Sequence, residues 1–107
     1  MTSAYKDMRG NWRASNSIQL EDDRKLKIST HKVSGGQLVT SAQVGKQDGN
    51  FFCFTMYQDF TDRLITSVPA RVTSKVVEAQ HAEAMKMVPS LMKSVADFYA
   101  IKVAEPA

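Results

Sequence analysis

The sequence predicts an α+β fold: an antiparallel sheet of about four strands arranged as a meander, backed by a C-terminal amphipathic helix kinked or broken at Pro89. Three observations predict it. Between Arg24 and Val68, apolar and polar residues alternate in short runs punctuated by glycine-bearing turns. After Pro69 the apolar period lengthens from two to about three and a half. Finally, 107 residues suffice for only one self-supporting core, so strands and helix must share it.

Residues 1–17 are polar, carry Gly10, Asn11, Ser15, Asn16 and Ser17, and show no sustained period. They read as a flexible basic arm ahead of a single α+β domain over 18–107, with Trp12 able to dock the arm to the body or a partner. Ser17 to Leu20 adds a short strand, and Glu21, Asp22 and Asp23 read as a solvated turn. Lys25 to Val33 begins with strict alternation, placing Leu26 and Ile28 on one face and Lys25 and Lys27 on the other. Gly35-Gly36 admits positive φ and predicts a tight hairpin turn into a second run, Leu38 to Val44.

Gly45 to Asn50, with Asp48-Gly49 supplying an Asx-type bond and a left-handed position, reads as the next and clearest turn. Phe51 to Gln58 follows, with large apolar groups on both faces, as befits a central strand or one with its second face covered. Asp59 to Asp62 breaks that run. Arg63 to Val68 is rich in β-branched residues and reads as a fourth strand, stopped at Pro69, which has no N–H for a ladder. Val77, His81, Ala84, Val88, Leu91, Val95 and Phe98 then recur at helical spacing, with Thr73 or Ser74 as the cap. Pro89 breaks the hydrogen-bond ladder, yet the stripe keeps its phase, which favours a kinked helix over two unrelated ones.

The net charge of +3 is concentrated in residues 1–33, which hold seven basic and four acidic groups, while the remainder carries seven of each. This asymmetry suits an anionic partner such as nucleic acid, and it equally suits a soluble tail. Cys53 stands alone, so no intrachain disulfide forms. No apolar run reaches the roughly 20 residues of a membrane span, and the N-terminus lacks a signal-peptide core. A cytoplasmic protein without a membrane partner is the expectation.

No metal site, cofactor or catalytic constellation is expected. His31, His81 and Cys53 lack ligand-pair spacing, and His81 falls on the apolar stripe as a satisfied core histidine would. His31 reads as a surface residue. The glycines form neither a Walker A loop nor a dinucleotide fingerprint, and no nucleophile signature is present. Cys53 sits within a Phe-rich strand, as an inert buried thiol does. The pairs Asp59/Asp62 and Glu78/Glu83 occupy a turn and a polar helix face, where solvation explains them.

If Leu26, Ile28, Thr40, Ala42, Phe52, Phe54, Met56, Leu64 and Val68 face the helix, the other sheet face presents cations among aromatics. Lys25, Lys27, Arg63, Phe51 and Tyr57, aided by Arg9 and Arg13 in the arm, would neutralise phosphates and stack bases of single-stranded DNA or RNA. The sequence thus points to a non-enzymatic nucleic-acid-associated protein. The same face supports an alternative, a homodimer or adaptor with no nucleic-acid role. It would pair with a second copy or another protein through Val39, Phe51 and Ile65, with Met87 as an exposed helical contact and Met85 and Met92 as core filler.

Overall fold

A computed structural model describes residues 2–20, 24–48, 51–55 and 63–104, with 46–48, 51–55, 63 and 98–104 described as backbone alone. Six strands, β1 (Tyr5–Lys6), β2 (Trp12–Gln19), β3 (Arg24–Lys32), β4 (Leu38–Asp48), β5 (Phe51–Thr55) and β6 (Arg63–Ser67), precede two helices, α1 (Ser74–Met85) and α2 (Val88–Ala104). All strand pairs are antiparallel, in the order β1-β2-β3-β4-β5, with β6 also pairing β4. The expected α+β architecture, a sheet backed by C-terminal helical structure, is what the chain forms.

Two details differ from a four-stranded meander. β6 pairs with residues 38–41 of β4, whereas β5 pairs with residues 44–48. Both run antiparallel to β4, so β5 and β6 together act as one last strand, interrupted in sequence, instead of a fourth and fifth rung. The second difference lies in the expected arm, because Trp12–Gln19 is a full strand. Its register with β3, from Ala14 opposite Thr30 to Gln19 opposite Lys25, leaves no residue out.

The alternation in β2 is present but disguised. Trp12, Ala14, Asn16 and Ile18 share the helix side, and the polar Asn16 interrupts an otherwise apolar series. The opposite positions, Arg13, Ser15, Ser17 and Gln19, are all polar. Trp12 packs, half-buried, against the cluster of Ala14, Leu38 and Val77.

The turn joining β1 to β2 is closed by Asp7, whose Oδ1 accepts from the N–H groups of Arg9 at 2.9 Å and Asn11 at 3.0 Å. Gly10 takes a φ of 78° there. Between β3 and β4 the Gly-Gly hairpin forms as expected, through a 3-10 turn over Ser34–Gly36 with φ of 81° at Gly35 and 74° at Gly36. The turn expected over 45–50 is strand for most of its length, because β4 runs on through Gly45 to Asp48 and pairs with β5 there. The expected turn at 21–23, residues 49–50, residues 56–58 of the third expected strand and the break at 59–62 lie outside the described residues.

Thr73 caps α1, its Oγ1 accepting from the Val76 N–H at 3.3 Å. The helical region is broken, not kinked. Lys86 and Met87 close α1 with bonds to Glu83 and Ala84 carbonyls, and the Leu91 N–H returns to Met87 as α2 begins. Pro89 stands second in α2, in the first turn, where a missing N–H removes no intrahelical bond. The stripe keeps its phase across the break: Val77, His81, Ala84, Leu91 and Val95 are all buried and Val88 is half-buried.

The main apolar cluster joins Leu26, Ile28, Ala42 and Val44 of the sheet to Ala84, Leu91 and Val95 of the helices. Ala14, Leu38 and Val77 form a smaller one nearer the β1–β2 turn. Among the described residues no helix is long and apolar enough to cross a membrane.

Opposite faces of β3 should therefore respond oppositely to truncation. Leu26→Ala, which empties a fully buried site, is expected to lower the unfolding free energy by about 2–5 kcal/mol. Lys25→Ala, one residue away on the other face, should change it by no more than about 0.5 kcal/mol. Equilibrium urea denaturation of both variants checks the assignment.

Candidate functional site

Both helices pack on one side of the sheet, so its open face is the side that carries no helix among the described residues, and the register assembles that side row by row. Lys25 lies between Gln19 and Gly45, Lys27 between Ser17 and Gln43, and Ser29 between Ser15 and Ser41. His31 pairs with Val39, which in turn pairs with Thr66. Lys25 and Lys27 are half-buried. Neither β2 nor β3 nor residues 38–45 of β4 contain an Asp or Glu, and β2 and β3 together carry Arg13, Arg24, Lys25, Lys27 and Lys32.

The expected site residues divide on this map. Lys25, Lys27 and Arg13 share the open face. Arg13 reaches back to Asp7, its Nη1 3.8 Å from the carboxylate Oδ2. That carboxyl titrates below its usual range, chiefly because the Asn11 N–H bonds it. Arg9 is exposed in the β1–β2 turn. Arg63 pairs with Ser41 and Phe51 with Asp48 as backbone, while Tyr57 lies outside the described residues, as do the side chains of Arg63, Phe51, Phe52, Cys53 and Phe54. The aromatic half of the expected platform is thus not among the described side chains of this face.

The expected interface residues are corrected more sharply. Val39 is only 4% exposed within its own chain. Ile65 and Ser67 belong to the helix side, because a bulge between Thr40 and Ser41 puts Ile65 opposite the buried Thr40. Ile65 packs against the main apolar cluster. Val68, expected inward, is exposed where the chain leaves the sheet, and Met87 is exposed in the inter-helix turn, as expected. His31 is half-buried instead of superficial. Its Nδ1 is enclosed and has no hydrogen-bond partner among the described residues, and burial, then the nearby Arg13 charge, push its pKa down.

A second assembly lies inside. Between the two apolar clusters a layer of buried polar side chains links the sheet to α1. His81, fully buried, places Nε2 2.7 Å from Asn16 Oδ1 and Nδ1 2.9 Å from Thr30 Oγ1. An amide oxygen only accepts, so Nε2 carries the proton and Nδ1 accepts from the Thr30 hydroxyl. Thr30 then accepts from the Thr40 hydroxyl at 2.6 Å, and Thr40 accepts from Gln80 Nε2 at 3.2 Å. Gln80 Nε2 also donates to the Leu38 carbonyl at 3.0 Å and, at 3.4 Å, to that of Ile65, while its Oε1 accepts from Ser67. At the other end the Thr2 hydroxyl donates to Asn16 Oδ1 at 2.6 Å.

Every hydroxyl in this chain between Gln80 and His81 is used once as donor and once as acceptor. The arrangement holds His81 neutral, and burial lowers its pKa. Enclosed on all sides, the imidazole organises the core and does not meet a ligand. Sequence reading identified His81 as a core histidine but missed its partners. The available signal was Thr30 and Thr40 standing at apolar-parity positions of their strands.

Among the described residues no group of three or more His, Cys, Asp or Glu side chains could hold a metal ion. Comparison of the chain with protein-family models, curated proteins and solved structures finds no match.

The buried histidine sets a pH dependence. A folded-state pKa below the unfolded value of 6.5 means that the unfolded chain binds more protons once the pH falls below that value. Stability is therefore expected to be full above pH 6.5 and to decline as the pH falls from 6.5 through the folded-state pKa. Urea denaturation at successive pH values in a His31→Gln background, which removes the other histidine, isolates the effect. A flat profile down to pH 5.5 would contradict a neutral, buried His81. Thr30→Val should cost about 1–3 kcal/mol at pH 7.5, because it strands two buried polar partners.

Proposed function

We propose that the chain is a non-enzymatic nucleic-acid-associated protein whose open sheet face binds single strands through their phosphates. The observation that carries this reading is that the face of β2, β3 and residues 38–45 of β4 turned away from the helices holds Arg13, Lys25 and Lys27 and no carboxylate. On the open face, Arg13, Lys25 and Lys27 stand among serines and glutamines, which donate hydrogen bonds to phosphate and sugar oxygens without demanding a base sequence. A sheet face with cations on two neighbouring strands suits an extended polyanion better than a compact ligand.

The assembly alternative has less support. Of its four contacts, Val39 is buried and Ile65 half-buried within their own chain, and the described residues of the open face between β2 and β4 are mostly polar where a stable dimer needs an apolar centre.

The reading makes a quantitative prediction. Binding of an unstructured oligonucleotide should weaken linearly in log Kobs against log salt, and the Lys25→Gln/Lys27→Gln variant should lower the slope by about 1.4, at about 0.7 per phosphate contact. Fluorescence anisotropy across a salt series measures both. No binding at low salt, or an unchanged slope in the double variant, would sink the proposal.

A further inference from the structure

On the helix side of the sheet, at the end away from the main apolar cluster, the chain leaves an open cleft of about 350 Å3. Three separate segments form it: Trp12 with the adjoining β1–β2 turn, Lys32 and Gly36 around the β3–β4 turn, and Arg71 in the loop ahead of α1. Lys32 follows Leu26, Ile28 and Thr30 in parity, so this cleft and the open-face lysines lie on opposite sides of the sheet.

Its electrostatics are one-sided. Neither an Asp nor a Glu lines it. Lys6 adds a further positive charge beside its wall, with Nζ 5.1 Å from the centre of the Trp12 ring. The nearest carboxylate in sequence, Asp7, is already engaged by two backbone N–H groups and by Arg13. Lys32 and Arg71 are exposed cations on different segments, brought to one concavity with no carboxylate partner among the described residues. Two cations lining one concavity suit a compact anion, and guanidinium and ammonium groups both bind phosphate.

The volume refines the class. It falls in the lower part of the roughly 300–1,000 Å3 range of small-ligand pockets and far exceeds the ~30 Å3 of a water molecule, leaving room for an organic group beside the phosphate. We propose that the cleft between Trp12, Lys32 and Arg71 binds a phosphate monoester with a compact organic substituent, of the size of a nucleoside monophosphate. This site does not depend on the strand-binding reading of the opposite face.

Trp12 is the only tryptophan and lines the cleft, so its emission reports on this site. Titration with adenosine monophosphate is expected to change that emission saturably, with inorganic phosphate at least tenfold weaker and uncharged adenosine without effect. Lys32→Gln/Arg71→Gln, at two exposed positions, should abolish the response while leaving the circular dichroism spectrum unchanged. Lys25→Gln/Lys27→Gln should leave the response as it is, even where it abolishes oligonucleotide binding. The proposal is overturned by the absence of a saturable change or by an undiminished response in the Lys32/Arg71 variant. Adenosine binding as tightly as its monophosphate would also overturn it, and so would inorganic phosphate doing the same, because the organic group then makes no contact.

Discussion

A helix resting on a sheet through apolar contacts alone could slide or rotate by a side chain at modest cost, since hydrophobic contact has little directional preference. α1 has no such freedom. Gln80 and His81, adjacent on the helix, reach in different directions, one to β4 and β6 and the other to β2 and β3. Any shift of the helix would leave buried donors and acceptors unpaired, at about 1–3 kcal/mol for each group. Four strands and one helix are thereby fixed by side chains that occupy a single layer. The apolar clusters on either side supply the bulk of the burial, and the polar layer supplies the registration.

That constraint shapes the strands as well. Asn16 is an unlikely-looking member of a strand core until His81 is placed against it, and Thr30 and Thr40 occupy sites where Val would pack as well but could not bond. Each polar residue is tolerated in the interior because its neighbour completes it. The layer also explains how β6 holds the edge of β4 by a short ladder. Gln80 bonds Leu38 on β4 and Ser67 and Ile65 on β6, bracing the pairing from the helix side.

Much of this fold was legible in the sequence, and each failure has its own physical cause. The period-two runs at Leu26 to Ile28 and Leu38 to Val44, the Gly35-Gly36 turn and the helical stripe all rest on apolar spacing, which a single chain displays openly. β2 was hidden because Asn16 breaks its apolar parity, and the reason it can do so is a histidine 65 residues away. Ile65 was placed on the wrong face because a bulge shifts its register, and nothing local marks a bulge there. Pro89 was ambiguous for a different reason: a proline in a first turn and a proline in a kink leave the stripe in the same phase. At the candidate site, Lys25 and Lys27 followed directly from alternation. The cleft did not, since Trp12, Lys32 and Arg71 are brought together only by tertiary structure.

The polar layer and the cleft are also mechanically adjacent. Lys32, at the end of β3, pairs with Leu38, and the Leu38 carbonyl is one of the acceptors of Gln80. Ser67, the other anchor of Gln80, ends β6 two residues before Pro69, where the loop bearing Arg71 begins. The two cations thus extend from strand ends that the same glutamine holds together. An exposed lysine and an exposed arginine on unrelated loops would ordinarily sample too many relative positions to select a ligand. Here both emerge within a few residues of a buried anchor, so the cost of bringing them together is met by the core and not by the anion they would bind.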